Sequence, residues 1–377
     1  MLLRLRCLLP GRARRASRRQ LLPWAALFAL PLVGLLLGLI TPASSTEFEL
    51  GQRDTSAPRL LAGEYSDTSS TLWLLRADDL NGRRWRLADV PHAPGWDIEA
   101  AAAPDEPVAA VLSLPPGGWD PKRQAVLDLF SERRAWRLAT GLDLSGGVLW
   151  SDSGDHLLVR RDGGLLVLDT EHGDEVAHWS PTGVSGLYAV AMRGDRVWAT
   201  TIDAWGTSLV ELTLANGGIS VRGRTRIADG TTRDWTLSPD GTLLAFSDQR
   251  GLELSVRVTA LTESRADAPL LLSSASGAAA RMAVADVSEG GGIPDSASPV
   301  WRSDGGLHFG VWKDAADTAG FTLPLGWDRS GDWLAVRWFS GSGPGDPGLE
   351  RAAVRDTDGN LTSATDEHVR LYGWWHE

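Results

Sequence analysis

Cysteine is all but missing from this 377-residue chain: its one copy, Cys7, sits near the N-terminus. Everything after it is therefore without disulfides, thiolate metal sites or a cysteine nucleophile, and folding there must rest on packing. Lysine is nearly as scarce, with Lys122 and Lys313 alone, and the arginine bias reads as base composition, with no functional weight. The string Gly-x-Ser-x-Gly never occurs. "GVSGL" at 183–187 comes closest and misses the last glycine, so no serine elbow of the hydrolase kind is present. The seven histidines, His92, His156, His172, His178, His308, His368 and His376, are scattered, with no pair at metal-ligand spacing on a helix.

One long run is both apolar and free of charge, and nothing later in the chain is comparable. Residues 21–40, "LLPWAALFALPLVGLLLGLI", carry no charged side chain. As a helix rising about 1.5 Å per residue, this run matches a hydrocarbon layer of about 30 Å. Residues 1–20 hold seven arginines and no acid, a flank that keeps this end in the cytoplasm. The reading is a basic tail (1–20), a transmembrane helix or signal anchor (21–40) in the inner, cytoplasmic membrane, and everything later outside the cytoplasm. "SRRQLL" at 17–22 resembles a twin-arginine export signal, and "ASS" at 43–45 offers a cleavage site, so a cleaved form stands beside the retained anchor.

With the seven N-terminal arginines set aside, the 37 basic residues fall to 30 against 48 acidic ones, a net charge of −18. Such a surface repels phosphate backbones, which argues against a nucleic-acid partner.

Past a linker at 41–69, one turn grammar recurs: an anchor residue, a few small or polar residues, glycine or a substitute, then an apolar strand. It begins at Ala102 ("AAPDEPVAAV"), Trp150 ("WSDSGDHLLV"), Met192 ("MRGDRVWATT"), Leu237 ("LSPDGTLLAF"), Trp301 ("WRSDGGLHFG") and Trp327 ("WDRSGDWLAV"), at spacings of 48, 42, 45, 64 and 26 residues. Asp or Ser before Gly is hairpin chemistry, because glycine reaches positive φ cheaply and a short polar side chain can bond the turn backbone. Between these turns lie strand–turn–strand units such as "GLLVLDTEHGDEVAHW" at 164–179 and "TSLVELTLANGGISV" at 207–221. Turn unit and hairpin unit together make a four-stranded blade. A period in the forties predicts an all-β fold: a β-propeller of six to seven four-stranded blades over 70–377, preceded by one N-terminal transmembrane helix. The short last spacing implies a blade that is either truncated or misassigned, and "RLLAGEY" at 59–65 could supply a strand that closes the ring.

At "LSPDGTLLAF", and more loosely at the other five sites, the chain resembles the TolB-like, WD-repeat-like β-propellers. That resemblance implies a fold and is nearly silent on function, since such propellers include periplasmic scaffolds and substrate-gating domains of peptidases. "LDTEHGDEVAHW" at 168–179 looks like the Asp, Gly and Trp strand pair of quinoprotein dehydrogenases and outer-membrane-assembly propellers, and is read as shared propeller mechanics.

Eighteen tryptophans are an enrichment. Trp150, Trp301 and Trp327 share one repeat position and are expected to pack between blades, whereas Trp119, Trp205, Trp312, Trp374 and Trp375 fall outside the register and are candidates for an exposed patch. "DTDGN" at 356–360 begins like a calcium loop but lacks its distal glutamate, so a plain hairpin turn is expected. No residue is singled out as catalytic, cofactor-binding or metal-binding, and no cofactor is expected. The functional expectation is a membrane-anchored extracytoplasmic scaffold that binds a protein or envelope component, the glycine-rich insertion at 273–299 being the first loop to suspect. The alternative is an exported enzyme: a quinoprotein-like oxidoreductase, or a hydrolase or lyase with its site at the central channel.

Overall fold

The computed structural model describes residues 57–116, 124–144, 147–179, 187–215, 217–250, 253–261, 299–308, 320–341 and 346–376. All belong to one compact unit, Thr55–Glu377. The proposed membrane segment at 21–40, the insertion at 273–299 up to residue 298, and Trp119 and Trp312 lie outside the described residues.

Every regular element described is a strand, and the strands pair antiparallel in seven sheets. The first blade runs Asp97–Ala102, Val108–Leu114, Ala125–Ser131 and Ala135–Leu142 from the inside outward. The second runs Leu149–Trp150, His156–Arg161, Gly164–Asp169 and Glu175–Trp179, and the third Tyr188–Arg193, Arg196–Asp203, Gly206–Ala215 and Gly218–Ala228. Thr232–Leu237, Leu243–Arg250 and Glu253–Ala260 form the fourth. A two-strand ribbon, Val300–Trp301 with Leu307–His308, holds the fifth position, and the sixth blade is Phe321–Trp327, Leu334–Phe339, Glu350–Arg355 and Leu361–Ala364. The seventh closes the ring: Arg370–Trp375 pairs with Arg59–Tyr65, which continues into Ser69–Arg76 and Trp85–Pro91. Among the described residues, six blades of three or four strands and one ribbon thus make a propeller, and 59–65 supplies its closing strand.

Period-two alternation explains the nearly continuous apolar strands. On Val108–Leu114, Ala109 and Val111 enter the core shared with the seventh blade, while Ala110 and Leu112 enter the core shared with the second. Neither face of an inner strand meets water, so both must be apolar. Packing cores of this kind lie between neighbouring sheets around the ring, and a lone blade could not bury either face.

The recurring turn has a common hydrogen-bond pattern. In 238–243, Ser238 N–H donates to the Leu243 carbonyl at 2.8 Å, Gly241 N–H to the Ser238 carbonyl at 2.8 Å, and Leu243 N–H to Ser238 Oγ at 2.9 Å. Asp240 accepts from Thr242 N–H at 3.0 Å and Ser238 Oγ at 2.6 Å, and these donors hold its carboxyl down at about 2. Gly241 takes φ 74°, which a side chain would strain. Trp327, Asp328 and Gly331 repeat the arrangement, as do Trp150, Ser151 and Gly154. These turns end the innermost strands, so they gather on one face of the disc as a turn ring.

Candidate functional site

Around the axis, the end of the channel nearest the turn ring opens into a cavity of about 440 Å³. Its walls are small or apolar, among them Ala101, Ala191, Leu325 and Gly326, with Tyr372 deeper in and Asp152, Arg193 and His376 at the rim. Three indoles are pinned here by backbone carbonyls of the preceding sheet. Trp150 Nε1 donates to Ala101 at 2.9 Å, Trp301 Nε1 to Thr236 at 3.2 Å, and Trp374 Nε1 to Gly326 at 2.8 Å. The expected inter-sheet packing of Trp150 and Trp301 is therefore seen. Trp327 packs edge-on to His308, ring centroids 4.6 Å apart, but its buried N–H finds no acceptor among the described residues.

Trp374 and Trp375 correct the sequence reading. They are 7% and 4% exposed, so they belong to no surface patch, and Trp374 occupies the same anchor position as Trp150 and Trp301. It anchors a seventh repeat, whose innermost strand, Arg370–Trp375, pairs with Arg59–Tyr65. The recurring Gly-Trp pair, Gly326-Trp327 and Gly373-Trp374, was a signal that could have found it.

Rim contacts join the turns to one another. Arg193 donates to the Ser238 and Pro239 carbonyls, both at 2.7 Å, and Asp152 accepts from Gly194 N–H at 3.2 Å. Arg329 of the sixth blade reaches the Pro104 carbonyl and the Asp105 carboxylate of the first.

Toward the opposite face, the innermost strands of the first and seventh blades carry charge that ties them to the second and third strands of the sixth. Asp97 and Glu99 lie on the same side of the first innermost strand as Ala101. Arg370 donates to Asp97 at 2.7 Å and lies 3.6 Å from Glu350, which also accepts from Arg337 at 2.6 Å. Glu99 is left without a hydrogen bond to an arginine. Crowding by the protein pushes its carboxyl up, Asp97 adds to the effect, and Arg370 and Arg337 only partly oppose it. Burial likewise raises the Tyr372 phenol. Which acids face the axis could not be read from the sequence, because Arg370 and Asp97 stand 273 residues apart.

Of the other residues weighed, Asp356 spends both oxygens on its own turn, accepting from Asn360 N–H at 2.8 Å and Asn360 Nδ2 at 3.0 Å. The expected hairpin turn is what this carboxylate builds. Gly173, the glycine of the "LDTEHGDEVAHW" pair, has φ 77°, and a Cβ there would lie 2.7 Å from the Leu138 carbonyl. Close approach between blades accounts for that glycine.

Among the described residues of the set, Trp205 is the exposed tryptophan, at 74%. It sits in a two-residue connection between Asp203 and Gly206, which pair across the hairpin. Trp205 N–H donates to Asp203 Oδ1 at 2.8 Å, and Arg224 holds the other carboxylate oxygen at 2.9 Å. Gly206 has φ 135°, and a Cβ there would fall 2.2 Å from the Ala228 carbonyl, so the hairpin lies against its own outer strand. The indole is thus held out on a pinned support.

No family model matches this sequence, and neither does any curated protein. Among solved structures, TolB from Acinetobacter baumannii is similar over 85% of this chain and 67% of its own, at 14% identity and a TM-score of 0.46. A TolB-like protein from Agrobacterium tumefaciens is similar over 85% and 100%, at 11% identity and 0.42. Hydrazine synthase from Kuenenia stuttgartiensis, an enzyme, is similar over 82% and 80%, at 15% identity and 0.40. The sheets close as a β-propeller, and the chain resembles the TolB-like propellers in fold. Likeness at this level is one of architecture and passes over function.

Proposed function

We propose that this chain is a non-catalytic binding scaffold, held outside the cytoplasm by a membrane-spanning segment at 21–40, that captures a protein or another envelope component. Trp205 carries the reading. A solvated indole costs free energy in isolation, and a tryptophan locked on a rigid hairpin beside arginine has the composition and preorganisation of a binding hot spot. The charge of the exported part speaks against a nucleic-acid partner, and the arginine-flanked apolar run supports the address. Affinity capture from cross-linked membranes tests it. The wild-type chain should retain a partner that the Trp205→Ala chain loses, with unchanged melting; equal retention by both chains would remove Trp205 as the anchor.

A channel-centred enzyme is the second reading, and the observation that favours it is Glu99, whose carboxyl is pushed up beside the axial channel. Glu99→Gln would abolish turnover under that reading and leave partner capture untouched under the first.

A further inference from the structure

Two surfaces on this propeller complement each other. One is a cleft of about 380 Å³ between the first and second blades, floored by Val108 and Leu129 and walled by Trp136 and Trp150. Glu106, Asp155, Asp169 and Glu171 line it against a single cation, Arg134, whose guanidinium is already stacked 3.9 Å over the Trp136 ring. Among the described residues no three His, Cys, Asp or Glu side chains converge to hold a metal ion, so the negative charge is spread along the cleft. Its volume falls within the roughly 300–1,000 Å³ of small-ligand pockets, room for an aromatic side chain with a guanidinium beside it.

The other surface is the Trp205 hairpin. Beside it the outermost strand of the third blade presents Arg222, Arg224 and Arg226, each between 40% and 50% exposed at 44%, 43% and 47%. Charge is segregated accordingly. Residues 187–233 hold six arginines and four acids, whereas 144–186 hold two arginines and seven acids. The innermost strands end at the turn ring and the second strands run back from it. The Asp203–Gly206 connection therefore lies on the face opposite the ring, while the cleft, with Glu106 and Asp155 from two turns, lies on the ring side.

Resting on the reading of Trp205 as a binding anchor, we propose that its partner is a second copy of this chain. The Trp205 indole of one copy enters the cleft between the first and second blades of the next, with Arg224 and Arg226 meeting Glu106, Asp155 and Glu171. A knob on one face and a socket on the other make a heterologous, head-to-tail contact, which either closes into a ring or extends as a stack. Aromatic burial supplies the affinity, and the opposed charges supply register and a dependence on ionic strength.

Sedimentation velocity of the purified full chain over a concentration series tests this. Wild type should associate, less so at high salt. Trp205→Ala should weaken association by about 30-fold or more, the scale of a hot-spot residue. Glu106→Lys with Glu171→Lys, both exposed positions, should do the same. Mixing these two defective chains is the deciding arm: one keeps the socket and the other the knob, so the mixture should form heterodimers that neither forms alone. A wild type that stays monomeric at about 100 µM, or a mixture that stays monomeric, overturns the proposal. If Trp205→Ala nevertheless loses a different captured protein, the anchor reading stands and only self-docking falls.

Discussion

Replacing tryptophan by phenylalanine at two equivalent positions should give two different outcomes. Trp374 is 7% exposed and donates its N–H to Gly326 at 2.8 Å, whereas the buried Trp327 N–H has no acceptor among the described residues. Phenylalanine keeps an aromatic ring at either site and leaves a small void worth about 1 kcal/mol. At Trp374 the substitution also removes a hydrogen bond and strands a carbonyl at the closing blade, about 1–2 kcal/mol more. At Trp327 it deletes an unsatisfied donor, a gain of about 1 kcal/mol that offsets the void. The expected costs are about 2–3 kcal/mol at Trp374 and about zero at Trp327. Thr55–Glu377 unfolds with an entropy of about 0.7 kcal/mol per kelvin, so the two variants should melt about 3 °C apart. Differential scanning calorimetry reads this directly. Equal losses at the two sites would refute the reasoning, because indole volume and not the N–H bond would then be what joins the blades.

Other outcomes follow from the same contacts. Arg193→Ala removes two donors to the 238–239 carbonyls and should cost about 1–3 kcal/mol, read as a shift in the urea midpoint; no shift would mean the turns are not coupled at the rim. Asp240 titrates at about 2 in the folded chain, below its ordinary 3.8, so the unfolded state takes up its proton first. Stability from this group is complete above about pH 4 and disappears as pH falls toward 2, and Asp240→Asn should flatten the acid limb of the stability curve there. Gly173→Ala places a methyl group 2.7 Å from the Leu138 carbonyl at φ 77°, and should destabilise by about 1–3 kcal/mol; a neutral result would show that the blades can separate at that point.

Much of the fold was legible because propeller blades are local. Each hairpin and each Ser-Pro-Asp-Gly-type turn is built from neighbours in sequence, and its glycine and aspartate are specified by backbone needs that a single residue type meets. The same reading misjudged Trp374 and Trp375. It took the turn as the mark of a repeat, whereas the innermost strand of the seventh blade, Arg370–Trp375, joins its blade by pairing with the early strand Arg59–Tyr65.

Residue order by itself settled the strand periodicity, the turn chemistry and hence the class of fold, since these depend on contacts a few residues long. Ring closure decided the rest: where the seventh anchor falls, which acids meet Arg370, why Arg329 spans to Asp105 from 224 residues away, and which pair of blades leaves a cleft between them. Such neighbours are brought together only when the first and last strands pair, so no local pattern in the chain can encode them.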